Sequence, residues 1–354
     1  MDHKSKQGWK VMIPHTAINP DARKYLEDRG HTIILYPSRP GVDLKDDVRT
    51  YQPDAIIIRD AKCDRAFFEA AAPALKALAR YGAGYDGVDL DAADSFGVTC
   101  MYAPIGNSFS VAEVAMFHML HAALNVEVTS SNLRTDFMLA KQLTPYGNIA
   151  GKTVGLIGCG NIGSRVAKHA MEFKMNVWAY DPFKPAKDFP KGVKVVRDLN
   201  TLLAGSDFVS LHAPATSITK NMINMETLRK MKPTAYLINT ARGALVKEED
   251  IIEAVKTGVI AGAEFDTTPN EPISPDREIL RVDGIYITPH QGGSTRESSA
   301  RVCMMDCIGI QEVYEGKEPS WPIPRIDYDT APTYDDVNEE PAYEAPDILD
   351  IRAL

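Results

Sequence analysis

The sequence predicts an α/β fold with two Rossmann-like or flavodoxin-like parallel-sheet domains. Its 354 residues suit two domains of ordinary size. Short apolar segments with strand character alternate with helical segments in two separate series, the pattern of parallel sheets covered by helices. A glycine-rich turn at residues 158–163 joins a strand to a helix at the start of the second series. Together these three observations predict two α/β units, not one.

The first series occupies residues 10–101. We predict strands at residues 10–14, 32–36, 54–58, 75–81 and 98–101, with a helix at 20–28 that ends at Gly30. The segment 54–58 reads Asp-Ala-Ile-Ile-Ile, and such a nearly continuous apolar run is typical of a strand buried on both faces. Because helical segments separate the strands, the sheet is predicted to be parallel.

The second series follows a long helix predicted at residues 107–124. Ser110 and Glu113 have the spacing of a capping box, so Ser110 is predicted to cap this helix. Strands are predicted at residues 153–157, 176–180, 208–211, 235–239, 260–265 and 285–288, with helices at 161–173 and 295–314. This second alternation predicts the second parallel sheet.

Charge excludes two classes of partner. Lys plus Arg is 39 and Asp plus Glu is 48, so the formal net charge is -9. No basic excess is available for nucleic acid or for an anionic membrane surface. Residues 325–354 hold nine acidic and two basic residues, a net charge of −7, which leaves −2 for the other 324 residues. We therefore expect a separate acidic tail that is disordered or lies along the surface.

The cysteines and the apolar segments indicate the compartment. Five cysteines at irregular spacing predict reduced thiols, and Cys303 and Cys307 have no nearby partner, so no metal is expected. The N-terminus has no apolar signal segment. The apolar stretch 111–124 is too short for a membrane span and is interrupted by His118 and His121, which are predicted to serve packing. These features predict a cytoplasmic protein with no membrane partner.

The glycine-rich turn has the full context of a dinucleotide-binding site. It follows the strand Thr-Val-Gly-Leu-Ile and opens a helix, and Asp181 lies 18 residues beyond Gly163 at the end of the next strand. The glycines permit a tight turn and close approach of a pyrophosphate, and Asp181 suits the ribose hydroxyls of NAD while repelling a 2′-phosphate. The predicted NAD contacts here are Gly158, Gly160, Asn161, Ile162, Gly163 and Asp181.

Three reactive side chains follow strands of the second series. Arg242 lies in the segment Asn-Thr-Ala-Arg-Gly, Glu271 precedes Pro272, and His290 lies in Thr-Pro-His-Gln-Gly-Gly-Ser-Thr. Ligands in such folds bind beyond the carboxyl ends of parallel strands. The imidazole of histidine exchanges protons near neutral pH, a carboxylate orients it, and a guanidinium binds a carboxylate with two hydrogen bonds. We predict that His290, Glu271 and Arg242 are catalytic, with His290 as the acid/base.

These segments, in their order and spacing, resemble the NAD-dependent D-2-hydroxyacid dehydrogenase family. The resemblance covers residues 53–314 and includes 82–89 and 107–113. It implies a substrate domain at 1–104 plus 294–324, an NAD-binding domain at 105–293, and the tail at 325–354, with the active site in a cleft between the domains. It also implies a homodimer through the cofactor domain. The substrate that the resemblance implies is a small 2-hydroxy or 2-oxo acid.

The resemblance also implies roles for further residues. Asp266 would hold the nicotinamide carboxamide, and Thr240 would contact the cofactor backbone. His212 and Gly293 complete the predicted cofactor set, although His212 is equally compatible with packing. The predicted substrate contacts, besides Arg242 and His290, are Arg59, Ala83, Gly84 and Asn107.

The substrate stays open between three readings. Arg59 stands where phosphoglycerate dehydrogenases carry a substrate-binding arginine, which favours 3-phosphoglycerate. Asp60 follows it where the family usually has Ser or Thr, which favours an unphosphorylated oxo acid such as glyoxylate, hydroxypyruvate or an aromatic acid. NAD-sensing corepressors share the fold and the same Arg, Glu and His, so a binding protein is the third reading.

Overall fold

The computed structural model describes residues 7–37, 41–143, 146–330 and 339–343. The chain forms two compact units. Unit 1 comprises Met1–Ser108 and Gly293–Ile326, and unit 2 comprises Phe109–Gly292 and Asp327–Leu354. The predicted division at residues 104 and 293 differs from these bounds by a few residues, and the tail is divided between the two units.

Unit 1 is built on a five-stranded parallel sheet. Its strands are β1 (Lys10–Pro14), β2 (Thr32–Tyr36), β3 (Ala55–Ile58), β4 (Ala77–Arg80) and β5 (Thr99–Tyr102). Their order is β2-β1-β3-β4-β5, as in flavodoxin-like folds. The helices are Pro20–Glu27, Lys45–Tyr51, Arg65–Ala71, Leu90–Ser95 and Arg296–Tyr314. Every residue of β3 is buried, as its apolar run predicts.

Unit 2 contains a seven-stranded parallel sheet. Its strands are β6 (Thr153–Ile157), β7 (Asn176–Tyr180), β8 (Lys194–Val195), β9 (Phe208–Leu211), β10 (Tyr236–Asn239), β11 (Gly262–Phe265) and β12 (Ile285–Ile287). The order is β12-β11-β10-β9-β6-β7-β8, which is the Rossmann order with one strand added. The strand order reverses between β6 and β9, where such folds bind dinucleotides. The predicted fold class of two parallel-sheet α/β domains is confirmed.

The helices of unit 2 differ from prediction at two places. They are Ser108–Leu124, Val126–Leu133, Phe137–Leu143, Asn161–Glu172, Leu199–Gly205, Met225–Leu228 and Glu248–Lys256. The helices Val126–Leu133 and Phe137–Leu143 were not expected, because their sequences have weak apolar periodicity. The predicted capping box is wrong: the helix begins at Ser108, so Ser110 lies inside its first turn and is buried.

At the start of the acidic tail, Arg325 pairs with Asp91 and Asp94 of unit 1. The described tail residues from Asp327 onward lie against unit 2. The rings of Tyr328 and Phe183 meet edge to face with centroids 5.2 Å apart. Ser217 Oγ donates a hydrogen bond of 2.6 Å to Asp329 Oδ1. Tyr343 pairs with Pro190 in an isolated parallel bridge. The predictions for residues 331–338 and 344–354 fall outside the described residues.

Within the described ranges, no single helix has the length and apolar character to cross a membrane. The bent pair Ser108–Leu124 and Val126–Leu133 passes the same criteria only when its two helices are taken together.

Candidate active site

The turn after β6 depends on three glycines. Gly158 has φ +90, and a Cβ there would lie 2.7 Å from the carbonyl carbon of His212. A Cβ on Gly163 would lie 2.3 Å from the carbonyl oxygen of Gly158, so neither position accepts a side chain. A Cβ on Gly160 would meet nothing within 4 Å, and no side chain caps the helix that begins at Asn161. The open space beside Gly160 and the uncapped start of the helix at Asn161 and Ile162 therefore suit a pyrophosphate.

Asp181 is fixed at the edge of this turn. Its Oδ2 accepts a hydrogen bond of 2.9 Å from Cys159 N, and its Oδ1 accepts one of 3.0 Å from Phe183 N. A carboxylate oxygen accepts more than one hydrogen bond, so both oxygens keep capacity for ribose hydroxyls. Lys184 Nζ donates a hydrogen bond of 2.6 Å to Cys159 O, which ties the segment after β7 to the glycine turn.

Three buried polar atoms at the strand ends of unit 2 lack a hydrogen-bond partner among the described residues. They are His212 Nδ1 after β9, Thr240 Oγ1 after β10 and Thr267 Oγ1 after β11. Burial lowers the pKa of His212 to about 3, so its imidazole is neutral. Buried polar atoms in proteins are normally paired, so these three fit the polar groups of a bound dinucleotide. Thr267 was missed because a lone threonine gives no sequence signal.

Asp266 organises the turn that carries His290. Its Oδ1 accepts hydrogen bonds from Thr288 Oγ1 at 2.6 Å and from Gln291 N at 3.0 Å, and its Oδ2 accepts one from Gly292 N at 2.8 Å. His290 has φ +53, a left-handed conformation that is costly for a residue with a Cβ. The hydrogen bonds of Asp266 hold the chain in this conformation.

The three predicted catalytic residues follow β10, β11 and β12, which are neighbours in the sheet. Gly243 lets the first two loops meet, because a Cβ there would lie 2.0 Å from the carbonyl carbon of Thr268. Asn239 clamps the first loop: its Nδ2 donates to Arg242 O at 2.9 Å, and its Oδ1 accepts from Ala241 N at 3.0 Å. This role of Asn239 was not predicted, because a single asparagine at a strand end gives no sequence signal.

His290 and Glu271 form a direct pair. His290 Nδ1 lies 2.6 Å from Glu271 Oε2, and Thr268 N donates to Glu271 Oε1 at 2.9 Å. Burial raises the pKa of Glu271, but the hydrogen bonds from His290 and Thr268 and the charges of His290 and Arg242 outweigh it, so the pKa lies below its usual value. The His290 side chain is 48% exposed and its Nε2 bonds no described residue. This nitrogen is available to exchange a proton with a ligand.

Asn107, one of the predicted substrate residues of unit 1, lies beside two glycines. A Cβ on Gly82 would lie 3.4 Å from Asn107 Nδ2, and a Cβ on Gly293 would lie 2.8 Å from the same atom. Asn107 Oδ1 is buried and has no partner in the described part of the chain. Ala83 and Gly84 follow Gly82 in the loop after β4. This part of unit 1 therefore offers an unpaired amide oxygen and backbone N–H groups.

Arg59 lies at the end of β3. Its guanidinium makes a long hydrogen bond of 3.4 Å to Ser294 Oγ and lies 5.5 Å from the centroid of the Tyr81 ring. Its ion pair with Asp60 is loose, at 3.9 Å. These weak contacts leave the guanidinium able to bind an anion.

Two predicted packing histidines have polar partners instead. Both His118 and His121 bond the buried carboxyl of Glu264. This cluster was not predicted, because Glu264 is distant from both histidines in the sequence. In the described ranges, no group of three or more His, Cys, Asp or Glu side chains is arranged to hold a metal ion.

The Rossmann strand order, the glycine turn and the unpaired polar atoms define a dinucleotide-binding α/β protein. The sequence model of the family described as D-isomer specific 2-hydroxyacid dehydrogenase, NAD binding domain, matches residues 116–292. The chain belongs to this family and contains its NAD-binding domain, as the resemblance predicted.

Individual relatives cover most of this chain. It is 40% identical over 251 residues to the hydroxypyruvate reductase of Thermotoga maritima, covering 70% of this chain and 81% of that one. It is 35% identical over 309 residues to the D-3-phosphoglycerate dehydrogenase of Archaeoglobus fulgidus, covering 87% of this chain but 58% of that one. A solved glyoxylate reductase from Paecilomyes thermophila superposes with a TM-score of 0.81 at 26% identity, covering 90% and 99% of the two chains. The chain thus spans little more than half of the phosphoglycerate dehydrogenase.

Proposed function

We propose that this protein is an NAD-dependent D-2-hydroxyacid dehydrogenase in which His290 is the acid/base. The main support is the 2.6 Å contact between His290 Nδ1 and Glu271 Oε2, which leaves His290 Nε2 available for the substrate. Ionised Glu271 fixes the tautomer of His290 and stabilises the imidazolium. In oxidation of a 2-hydroxy acid, Nε2 takes the hydroxyl proton, and in reduction it returns the proton to the carbonyl oxygen.

Arg242 is proposed to bind the substrate carboxylate. A guanidinium presents two parallel N–H groups, which fixes the acid in one orientation beside the base. Its backbone is held by Asn239, so the side chain projects from a fixed point. Bound NAD supplies the hydride acceptor for oxidation.

The cofactor is proposed to be NAD rather than NADP. Asp181 supports this, because its carboxylate accepts hydrogen bonds from a 2′-OH and repels a 2′-phosphate. Gly158, Gly160 and Gly163 with the helix start at Asn161 would hold the pyrophosphate, and His212, Thr240, Thr267 and Asp266 would line the rest. We expect Asp181→Ala to shift the NADH:NADPH ratio of kcat/KM by about tenfold toward NADPH. An unchanged ratio would show that the ribose is recognised elsewhere.

The assay that tests the activity is NADH consumption with a panel of 2-oxo acids. Turnover of at least one acid, lost in His290→Ala, supports the proposal. If every acid is ignored while NADH changes the oligomeric state, the protein is an NAD-sensing binding protein instead.

The substrate is proposed to be 3-phosphoglycerate and its oxo product. Arg59 supports this, because a second cation suits a second anionic group, and its loose pairs with Asp60 and Ser294 keep it available. One relative is named D-3-phosphoglycerate dehydrogenase and another hydroxypyruvate reductase, so the relatives are compatible with a phosphorylated and with an unphosphorylated substrate. We expect Arg59→Ala to raise KM for the phosphorylated acid and to leave KM for glyoxylate and hydroxypyruvate unchanged. A phosphate preference that survives this substitution would refute the role of Arg59.

The protein is further proposed to be a cytoplasmic homodimer formed through the NAD-binding domain. Large apolar side chains are exposed in the helices after residue 125; they are Val126, Val128, Leu133, Phe137 and Met138. Such a concentration is typical of a protein interface. Light scattering is expected to give twice the chain mass, and Val128→Asp with Leu133→Asp is expected to give monomers.

A further inference from the structure

A buried carboxyl in unit 2 bonds two histidines. Glu264 lies in β11 and is 4% exposed. Its Oε2 lies 2.9 Å from His118 Nδ1, and its Oε1 lies 2.8 Å from His121 Nδ1. The helix Ser108–Leu124 carries both histidines. The proposed mechanism assigns none of these three residues a role.

The cluster is connected to the turn of His290 by hydrogen bonds. His118 Nε2 lies 3.4 Å from Thr288 Oγ1, which is a long contact, and Thr288 Oγ1 donates to Asp266 Oδ1 at 2.6 Å. Asp266 accepts from the N–H groups of Gln291 and Gly292, which directly follow His290. Among the described residues, His121 has no hydrogen bond to Thr288 or Asp266; it bonds Glu264, and its ring stacks on Tyr286 with the centroids 4.1 Å apart.

The donors and acceptors determine the direction of every hydrogen bond in this network. Thr288 has a single hydroxyl proton and gives it to the Asp266 carboxylate, so its oxygen accepts from His118 Nε2–H. A neutral His118 protonated at Nε2 has an acceptor at Nδ1, so Glu264 must donate its carboxyl proton to it. The other oxygen of Glu264 then accepts from His121 Nδ1–H. All the groups are satisfied by one arrangement, in which Glu264 is protonated.

The electrostatics favour the same arrangement. Burial, with a smaller contribution from Glu127, raises the pKa of Glu264 to about 9. Burial, with a contribution from His121, lowers the pKa of His118 to about 4, and burial lowers that of His121. The titratable groups that face Glu264 come from the helix Ser108–Leu124, the next helix, β10 and β12; they are His118, His121, Glu127, Tyr236 and Tyr286. None of these groups is a cation at neutral pH, so nothing there stabilises an ionised Glu264.

We propose that Glu264 and His118 are positioning residues, which orient Asp266 through Thr288 and thereby hold the turn that presents His290. The inference rests on the proposed dehydrogenase function. It assigns Glu264 a structural proton that stays in place during turnover.

Four variants test the inference. Glu264→Gln replaces the protonated carboxyl by an amide that donates to His118 and accepts from His121, so it preserves every hydrogen bond of the network. Glu264→Leu and His118→Phe remove hydrogen bonds from this network. His121→Phe is the matched control, because it removes a partly buried histidine that also bonds Glu264 but lies off the connection to Thr288.

We expect Glu264→Leu and His118→Phe to lower kcat about 10- to 100-fold, the usual cost of losing an orienting partner. NADH affinity should fall by a smaller factor, because Asp266 also lines the proposed cofactor site. Glu264→Gln and His121→Phe are expected to stay within about threefold of the wild type. Equal losses in His118→Phe and His121→Phe would overturn the proposal, since they would indicate a general packing role. So would a Glu264→Gln variant as inactive as Glu264→Leu.

The pH dependence of kcat distinguishes the structural proton from a packing role, because a packing role alone would not change it. In hydroxy-acid oxidation, kcat of the wild type should fall above the pKa of Glu264, which is about 9. Glu264→Gln cannot lose this proton and should remain active there. Identical alkaline limbs would refute the structural proton.

One measurement is independent of turnover and separates the two proposals. ¹⁵N NMR of the histidines should show His118 neutral with its proton on Nε2, both in the wild type and in Glu264→Gln. A His118 cation or the Nδ1–H tautomer would overturn this inference. Failure of the wild type to reduce any 2-oxo acid would overturn the proposed function, whatever the tautomer.

Discussion

Among the described residues of unit 2, two glutamates bond histidines, and the two resulting sites lie in opposite environments. In the first, His290 and Glu271 are 2.6 Å apart and their side chains are 48% and 35% exposed. In the second, His118 and Glu264 are 2.9 Å apart and their side chains are 0% and 5% exposed. The pKa of Glu271 lies below its usual value, whereas that of Glu264 is raised to about 9.

The difference shows that a carboxylate–imidazole contact does not by itself define a chemical role. Glu271 receives a backbone N–H from Thr268 and lies near the charge of Arg242, so its ionised form is stabilised. Glu264 has two histidines and an apolar surrounding, and desolvation favours its neutral form. The first pair can exchange a proton with a ligand, while the second keeps its proton and directs hydrogen bonds.

The largest effect is expected from a substitution in the exposed pair of His290 and Glu271. His290→Ala should lower kcat by about 10³-fold, because proton transfer to the substrate oxygen is lost, while NADH affinity is unchanged. Steady-state kinetics and NADH fluorescence titration measure the two quantities. The control is His118→Phe, which should cost less, and an active His290→Ala would exclude the assigned base.

The same substitution in both pairs should give opposite results. Glu271→Gln should lower kcat by about 10²-fold, because an amide cannot stabilise the imidazolium, whereas Glu264→Gln should be nearly silent. Parallel kcat measurements on the two variants make the comparison. If both lose activity to the same extent, the two glutamates do not differ in protonation.

Arg242→Lys separates charge from shape. The charge that helps to keep Glu271 ionised is retained, but the planar pair of N–H groups is lost. KM for the oxo acid should rise about tenfold with a smaller change in kcat. Arg229→Lys, in the loop after Met225–Leu228, is a matched control that should leave KM unchanged. A tenfold loss confined to kcat would argue against ground-state binding of the carboxylate.

The last prediction concerns stability and involves no change in kcat. Because the folded-state pKa of Glu264 is raised, its contribution is fully present below the unfolded pKa of about 4.3 and is lost as pH rises through about 9. The free energy of unfolding of Glu264→Gln should therefore gain on that of the wild type between these pH values, by at most about 1.4 kcal/mol per pH unit. Urea denaturation at pH 5, 7 and 9 measures the difference. A constant difference would show that Glu264 is ionised in the folded state.

Local sequence predicted the parts of the site that depend on local geometry. Eleven of the twelve described strands were placed within about two residues of their structural bounds, because a short apolar run needs to be buried. The two-residue strand β8 (Lys194–Val195) was missed, because it is too short to show a pattern. The glycine turn was readable because Gly158 has φ +90 and Gly163 faces a backbone oxygen, conditions that only glycine meets. Ser110 was misassigned because a capping box is defined by spacing, and helix Ser108–Leu124 begins two residues earlier.

The sequence by itself determined two α/β units, the dinucleotide turn and the strand ends that carry Arg242, Glu271 and His290. Only the tertiary structure decided which buried polar groups meet. Glu264 and His118 are separated by 146 residues, and each is an isolated polar residue in an apolar segment. Their contact arises because a helix packs on a strand with both side chains facing inward. Burial then determines which of them holds the proton, and burial is a property of the packed fold rather than of the sequence pattern.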